Sequence, residues 1–397
     1  MNSKKLRIML LASHLTNSSG GTKFVFLLAK ELSKKHDLTL FLQKPPTFFK
    51  NELENCNIDV KIISNCSTGD LKFWLTFPNQ IKNQIKYLKN ESQKYDVAIS
   101  IIFPMNILAN SINLPHVQHC FQPFAFFWDS VLISKLPISQ RIFLRIMKKL
   151  YGKLDIKYTK KSNIISTPTQ EVSNYVKEFY GKDSVPTSAG VDSIFKPSFN
   201  PILKKKYLGQ KILIHSTDWT FTKNTNWLID QFIEISKKIK NIKLLITEVK
   251  NSGHERDLAI QKIQKYNLNV ELCGLIPEHL LPDYYSISDL GIYPGVAFKN
   301  SAASLWVLEC MACETPVLRT NNTNSETEHG KTGYLFDIKN PQEFQKYVLM
   351  LLENDDLINK FGKSAREFIL NNRTWEKIAK LFEENCFHAI YDYKSKF

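Results

Sequence analysis

The residues of this sequence that could do chemistry concentrate at 281–316, where a carboxylate follows a loop of small residues. The run LGIY at 290–293 predicts a short buried parallel strand, closed by Pro294 and Gly295. The loop NSAAS at 300–304 then opens into a predicted helix, whose first N–H groups could bind a phosphate. Glu309 lies in the first turns of that helix, close to whatever the loop holds. An ordinary β–α unit with one buried carboxylate explains these local features equally well.

A longer motif on the same helix resembles a known family. Residues 308–317 read LECMACETPV, and eight of the ten match the donor-sugar motif LEAMACGTPV of the large retaining GT-B glycosyltransferases. That family is typified by bacterial mannosyl- and glucosyltransferases and by sucrose synthase. Its first motif glutamate, its loop glycine and its glycine before the threonine correspond here to Ser301, Ser304 and Glu314. The resemblance covers most of the chain and is strongest at 267–337.

Two other loops fit the same family. The pair Gly20 and Gly21 follows the first predicted strand and precedes a predicted helix at 23–35, where relatives place the donor phosphates and the acceptor. Lys223 matches a lysine that contacts the donor diphosphate in relatives. The family's arginine position falls on Asp218, which has the wrong charge for phosphate. Either a nearby base substitutes, or this pocket holds its diphosphate with less positive charge.

His119 closes the predicted strand that begins at His116. Their spacing of three puts the two side chains on opposite faces of a strand, and a structural histidine in the core is the simpler explanation. The resemblance implies instead that His119 faces the donor sugar, because many relatives have a histidine at the end of this strand. The sequence FQPFAFFW that follows at 121–128 is denser in aromatic residues than a routine loop.

The order of predicted elements favours an α/β protein. Short buried strands alternate with helices, which predicts a doubly wound sheet, and 397 residues are enough for about two domains. The resemblance implies the GT-B fold, with two Rossmann-like domains that face each other across a cleft. We predict an N-terminal acceptor-binding domain at 1–197 and a nucleotide-sugar-binding domain at 198–374, which begins with a charged linker. A final helix at 375–397 is expected to pack back on the N-terminal domain.

The resemblance also implies a reaction and a site. The expected enzyme is a metal-independent glycosyltransferase that uses a nucleoside-diphosphate sugar and retains the anomeric configuration. Catalytic roles fall on His119, Lys223 and Glu309, with Glu309 on the ribose hydroxyls. No metal or other cofactor is expected, so helix N-termini and loop amides meet the charge of the departing diphosphate. The residues predicted to bind the donor are Gly20, Gly21, Thr22, Ser301, Ala302, Ala303, Ser304, Leu305 and Glu309.

The charge of the chain predicts an anionic partner. Its formal net charge is +15, and no helix-turn-helix, zinc-finger or RNA-binding aromatic signature points to nucleic acid. Residues 135–161 hold nine basic residues, beginning with Lys135, against one acid, with apolar residues at helical spacing among them. Such a helix suits an anionic membrane surface, although a packed helix with a solvated basic face fits too. The stretch suggests a glycan or lipid-linked acceptor of the cell envelope, as in polysaccharide biosynthesis.

The expected location is the cytoplasm, peripheral on the cytoplasmic membrane. The N-terminal residues MNSKKLRIMLLASHL superficially resemble a signal peptide, but the apolar run is short and leads into the Gly-Gly loop, so it predicts a first strand. The apolar residues 97–109 are too few to span a bilayer. Seven cysteines, spread over the chain, suit a reducing compartment, and Cys310 and Cys313 lack the further ligands of a zinc site.

The residues that differ from the family motif leave other functions open and also suggest a different donor sugar. Changes at Ser301, Asp218 and Glu314 also suit a non-catalytic nucleotide-sugar-binding subunit of a glycosyltransferase complex. A hydrolysing nucleotide-sugar epimerase shares the fold, but its acidic and histidine constellation is not recognisable here. Because Ser301 is shorter than glutamate and neutral, we expect a deoxy sugar such as rhamnose, or an N-acetylated one. Lys299 or Asn300 could instead replace the missing carboxylate.

Overall fold

The chain folds as two compact units. The computed structural model describes residues 4–17, 19–134, 136–296, 304–321 and 326–395. Unit 1 comprises Met1–Gly190 and Trp375–Phe397, and unit 2 comprises Val191–Thr374. Residues 191–197, which the sequence analysis assigned to the first domain, belong to unit 2. There Val191 forms a β-bridge with Thr374, and the Phe195 ring stacks 6.1 Å from that of Tyr285.

The sheet of unit 1 is parallel and has seven strands within the described residues. They are β1 (Arg7–Ala12), β2 (Asp37–Leu42), β3 (Asp59–Ile62), β4 (Val97–Ile101), β5 (His116–His119), β6 (Ile164–Thr167) and β7 (Val185–Pro186). Their spatial order is β3-β2-β1-β4-β5-β6-β7, so the direction of winding reverses between β1 and β4. The central strands are buried from end to end because helices cover both faces of the sheet.

Helices connect these strands. They are α1 (Gly20–Ser33), α2 (Lys50–Asn55), α3 (Leu71–Leu75), α4 (Phe77–Ser92), α5 (Met105–Ala109), α6 (Ala125–Trp128), α7 (Ser130–Ser134), α8 (Ile138–Lys161) and α9 (Gln170–Tyr180). The prediction that the helix after the Gly-Gly pair starts at residue 23 was wrong. Ser19 caps α1 by accepting a hydrogen bond from the Thr22 N–H, so both glycines form the first turn of the helix.

The sheet of unit 2 is also parallel, with six strands in the described part of the chain. They are β8 (Lys211–Thr217), β9 (Ile242–Glu248), β10 (Val270–Gly274), β11 (Leu290–Tyr293), β12 (Val317–Thr320) and β13 (Gly333–Phe336), in the order β10-β9-β8-β11-β12-β13. The helices between and after them are α10 (Pro201–Lys206), α11 (Thr225–Lys238), α12 (His254–Lys265), α13 (Leu281–Ser286), α14 (Leu305–Ala312), α15 (Pro341–Leu352) and α16 (Asp355–Asn372). Both units are therefore Rossmann-like α/β domains, as predicted.

The last helix, α17 (Trp375–Lys394), returns the chain to unit 1. Its apolar side packs on the same core as α1, and a Cβ built on Gly190 would lie 2.8 Å from the Trp375 ring. Only glycine allows this close approach, which gives a physical reason for Gly190 in the Gly-Val-Asp sequence. His36, at the turn before β2, lies 3.6 Å from the Glu383 carboxylate on α17, and both groups are buried.

A buried carboxylate joins three helices of unit 1. Asp155 on α8 is 2 % exposed and accepts hydrogen bonds from the indole N–H of Trp128 and the hydroxyl of Tyr180, both at 2.8 Å. Burial raises the pKa of Asp155 to about 6, although both hydrogen bonds favour the charged form. The folded chain therefore holds this proton more tightly than the unfolded chain, and the free energy of unfolding falls as the pH rises from about 4 to about 6.

Replacing Asp155 by Asn is expected to abolish this decrease in the free energy of unfolding with rising pH. The amide oxygen can still accept both hydrogen bonds, and it carries no charge to desolvate. The stability of Asp155→Asn relative to the parent should therefore rise with pH, by on the order of 2 kcal/mol between pH 4 and pH 6.5. Urea unfolding at a series of pH values measures this difference. A difference that does not change with pH would contradict the assignment.

Candidate active site

The carboxyl edge of the unit 2 sheet carries those predicted donor residues of this unit that the structure describes. The direction of winding reverses between β8 and β11, and ligands of doubly wound sheets bind where this reversal leaves a crevice. The loops after these two strands are tied together. The Val296 N–H donates to the carbonyl of Thr222 at 2.9 Å, and the side-chain amide of Asn224 donates to the carbonyl of Pro294 at 3.2 Å.

The loop after β8 folds around its acidic residue. The carboxylate of Asp218 accepts hydrogen bonds from the N–H of Thr220 at 3.0 Å and from its hydroxyl at 2.6 Å. A 3-10 helix at Phe221–Lys223 follows, and Asn224 then takes a φ of 54°. After glycine, asparagine is the residue best suited to this left-handed conformation, so Asn224 suits the turn that leads into α11.

Two cationic side chains flank one aromatic ring at this edge. Tyr293 ends β11, and the ammonium of Lys223 lies 5.8 Å from its ring centroid. The guanidinium of Arg319 lies 5.7 Å from the same centroid and is fully buried. Arg319 pairs in register with Tyr293, because β11 and β12 are neighbours in the sheet. The edge thus holds two positive charges close to the crevice, within a partly apolar setting that strengthens their fields.

Glu309 lies on helix α14, at the same edge. Ser304 is the N-cap of this helix and Leu305 its first residue, whereas the predicted donor residues Ser301, Ala302 and Ala303 lie outside the described residues. The Glu309 carboxylate is 7 % exposed and accepts a long hydrogen bond of 3.5 Å from the hydroxyl of Tyr285. Burial raises the pKa of Tyr285 well above 10, so this hydroxyl keeps its proton and remains a donor.

Helix α14 links Glu309 to the cationic pair. Trp306 lies three residues before Glu309, and its ring is 6.0 Å from that of Tyr293. The structure therefore brings Lys223, Arg319 and the N-terminal half of α14 to one edge. Cys310 and Cys313 on the same helix are buried in the core of unit 2, as packing residues.

Glu314 shows how this helix ends. It takes a φ of 64°, a left-handed conformation that glycine adopts without steric cost. The glycine that relatives have here therefore serves the backbone turn before β12, and the glutamate keeps the turn at some cost in strain.

His215, on β8, is a structural residue that connects the elements on either side of the reversal of winding. Its Nδ1 lies 2.9 Å from the carbonyl of Ile292, and its Nε2 lies 3.0 Å from the hydroxyl of Thr225, the first residue of α11. Burial lowers the pKa of His215 to about 4, so the imidazole is neutral and links β8, β11 and α11 through hydrogen bonds.

The predicted residues of unit 1 also meet at a sheet edge. Gly20 and Gly21 are exposed at the start of α1, and a Cβ on Gly21 would meet no atom closer than 4.0 Å. The two glycines therefore leave room for a ligand at this helix start, although the Thr22 N–H already donates to Ser19. Thr22 is buried instead, because its hydroxyl donates to the carbonyls of Asn17 and Ser19.

His119 lies next to this helix start but is fully buried. Its ring stacks on Phe24, one turn after Gly20, at 4.5 Å between centroids, and meets Phe121 edge-on at 4.7 Å. Its Nδ1 lies 3.0 Å from the hydroxyl of Ser166. Burial lowers the pKa of His119 to about 3, so the ring is neutral at pH 7. Contact between His119 and a sugar stays a prediction.

The basic stretch of unit 1 forms helix α8, except for Lys135, which lies outside the described residues. The helix packs on unit 1 through Leu144 and Met147. On another side it presents four apolar side chains at intervals of four residues, each 50 % exposed or more: Ile138, Ile142, Ile146 and Leu150. We call these four residues the apolar stripe. Exposed bases such as Arg145 and Lys149 flank the stripe.

Among residues 4–17, 19–134, 136–296, 304–321 and 326–395, no group of three His, Cys, Asp or Glu side chains is placed to hold a metal ion. No helix in these ranges is long and apolar enough to cross a bilayer.

Arg319 was not predicted from the sequence as a site residue. An arginine inside the apolar run VLRT carries no periodic signal, and only the strand register places it beside Tyr293. One indirect indication was present in the sequence. Because Asp218 stands where the family has an arginine, another basic residue was needed near the diphosphate.

The second unit matches a known family. Residues 200–368 match the family model described as glycosyl transferases group 1. Over 410 aligned residues the chain is 20% identical to an uncharacterised glycosyltransferase of Methanocaldococcus jannaschii, covering 96% of this chain and 98% of that protein. It is 25% identical over 198 residues to the N-acetyl-alpha-D-glucosaminyl L-malate synthase of Bacillus anthracis, covering 49% of this chain and 50% of the synthase.

The fold has solved counterparts. The Anabaena protein HepE, solved in complex with UDP and glucose, superposes with a TM-score of 0.73 over 96% of this chain and 99% of its own, at 15% sequence identity. At this identity the likeness is one of fold alone. The match at residues 200–368 and the named glycosyltransferase relatives show that the chain is a glycosyltransferase, and its two units have the GT-B fold.

Proposed function

We propose that this enzyme moves a sugar from a nucleoside-diphosphate donor to a lipid-linked glycan acceptor of the cell envelope, with retention and without a metal. The observation that carries the proposal is the pair of cations, Lys223 and Arg319, around Tyr293 where the winding of the unit 2 sheet reverses. A departing diphosphate carries at least two negative charges, and a site that uses no metal must meet them with its own cations and dipoles.

Each predicted residue has a distinct part in this proposal. Lys223 contacts the diphosphate directly, and buried Arg319 adds positive potential behind it, in place of the arginine that is absent at position 218. Within unit 2, the first N–H groups of α14, at Leu305, receive phosphate oxygens. Glu309 accepts hydrogen bonds from the ribose hydroxyls. For His119, which is neutral and fully buried, contact with the sugar stays a prediction of the family resemblance.

The donor is proposed to be a uridine nucleotide of an N-acetylated sugar. The name of the Bacillus anthracis relative specifies an N-acetylglucosaminyl group, and HepE was solved with UDP. Ser301, at the position of the first motif glutamate, is compatible with a sugar that offers fewer free hydroxyls. A deoxy sugar such as rhamnose is the second candidate for the same reason.

The acceptor is proposed to be met at an anionic membrane surface, on the cytoplasmic side. The support lies in α8, where the apolar stripe lies beside exposed bases. Apolar side chains that enter the headgroup region and basic ones that meet anionic lipids are the two elements of interfacial helix binding. Because salt screens the charges but not the apolar contact, part of the binding is expected to survive at high ionic strength.

Nucleotide binding without metal tests the donor part of this function. Calorimetry of the parent protein in EDTA is expected to show binding of UDP that is tighter than that of UMP, and of UMP tighter than that of uridine, because each phosphate adds charge that Lys223 and Arg319 can meet. Equal affinity for UDP and uridine would contradict the proposal that the diphosphate binds at this edge of the sheet. Binding of UDP only after Mg²⁺ is added would contradict the proposal that the site works without a metal.

A further inference from the structure

We propose that residues 199–208 of unit 2 form a second bilayer-contact surface, independent of α8. The segment reads FNPILKKKYL and includes helix α10. Three of its large apolar side chains, Phe199, Ile202 and Leu208, are each more than 70 % exposed. Side chains of this size are usually covered in a folded chain, and several of them exposed within ten residues indicate an interaction surface.

The segment is fastened to unit 2, so these side chains are held outward. At its start, the side-chain amide of Asn200 donates to the carboxylate of Asp283 at 2.8 Å. At its end, the ring of Tyr207 is buried in the core, and its hydroxyl donates to Glu271 at 3.0 Å. Leu203 packs against the same core. Because Leu203 and Tyr207 occupy the inner side of this helical turn, Ile202 is left on the outer side.

The charges of the segment select an anionic surface. Lys204 and Lys205 are exposed, and residues 199–210 contain no acidic residue. The two nearby carboxylates are already engaged: Glu271 pairs with Lys206 at 2.6 Å, and Asp283 with Asn200. The ammonium of Lys204 lies 5.2 Å from the Phe199 ring, so a base and an apolar side chain stand together at the surface. Such pairs suit the lipid headgroup boundary, where the ring enters and the ammonium stays with the phosphates.

The consequence is attachment through both units. Unit 1 carries the apolar stripe on α8, and unit 2 carries residues 199–208. Loss of either one alone should weaken membrane binding, and the inference does not depend on the identity of the donor.

Vesicle sedimentation with matched variants tests the proposal. Phe199→Ser with Ile202→Ser removes the apolar part of the new surface, and Ile142→Ser with Ile146→Ser removes part of the stripe. Tyr391→Ser is the control, since Tyr391 on α17 is 78 % exposed and has an acidic residue next to it in the sequence. On vesicles of phosphatidylglycerol and phosphatidylcholine, the first pair is expected to weaken binding about tenfold, and the control not at all. The circular dichroism spectrum and the melting temperature should stay unchanged in every variant, which verifies folding.

A fluorescence measurement separates insertion from distant attraction. Ile202→Trp adds an indole that brominated lipids are expected to quench, whereas Tyr391→Trp adds one that they do not. Parent-like vesicle binding by the Phe199 and Ile202 double variant would overturn the proposal. So would a change in its oligomeric state with no change in vesicle binding, because the surface would then belong to a protein contact.

Discussion

Replacing Glu309 by Gln is expected to weaken UDP binding by roughly ten- to a hundredfold while leaving the fold intact. Glu309 is 7 % exposed on α14, in a setting where a charged acceptor makes stronger hydrogen bonds than a neutral one. Loss of one charge-assisted hydrogen bond to the ligand costs about 1.5–3 kcal/mol, which is this range in affinity. Glutamine keeps the size of the side chain, so the packing of α14 should persist.

Ligands without ribose hydroxyls show whether Glu309 binds the ribose. The parent should lose affinity for 2′,3′-dideoxy-UDP, whereas Glu309→Gln should bind UDP and the dideoxy ligand about equally, because the partner of those hydroxyls is already weakened. Tyr285→Phe is the matched control, since it removes only the hydroxyl that donates to Glu309 at 3.5 Å. UDP binding by Glu309→Gln as tight as that of the parent would place the ribose elsewhere.

Replacing Lys223 by Met is expected to lower the turnover number about a hundredfold. Lys223 precedes α11 in the loop at the reversal of winding, and its charge would meet the diphosphate as the sugar departs. Removing one preorganised group that stabilises developing charge typically costs a hundredfold or more in rate. Methionine retains the length and apolar stem of lysine, so its contact with the Tyr293 ring can persist.

Charge-matched variants separate this electrostatic role from a structural one. Lys223→Arg should keep most of the activity, and Arg319→Lys should do so better than Arg319→Gln, because each retains the positive charge. Arg319→Gln should weaken UDP binding more than uridine binding. Equal losses for UDP and uridine would mean that buried Arg319 serves only the packing of β12.

Sequence periodicity was enough to predict the alternation of strands and helices and some of the element bounds. The β11 run at Leu290–Tyr293 begins and ends where predicted, because a buried parallel strand has a strong local signal. The start of α1 was wrong because two glycines normally indicate a loop, and the side-chain cap from Ser19 outweighs that preference.

Features that depend on strand register or on tertiary packing could not be predicted from the sequence. Arg319 acquires its place only from the pairing of β12 with β11. The basic character of α8 was predictable, but which apolar residues stay uncovered depends on how Leu144 and Met147 pack. Residues 200–210 looked like a charged linker, since nothing local shows that Tyr207 turns inward and leaves Ile202 outside.

The most direct test of the account is release of nucleoside diphosphate from a panel of sugar donors, in EDTA, with and without a lipid-linked acceptor. We expect one donor, a UDP-linked N-acetylated sugar, to be consumed faster than the others, with release that depends on the acceptor. Lys223→Met should abolish most of this release, and the new glycosidic bond should keep the anomeric configuration of the donor. Tight binding of UDP with no turnover of any donor would contradict the central claim of glycosyl transfer at this edge.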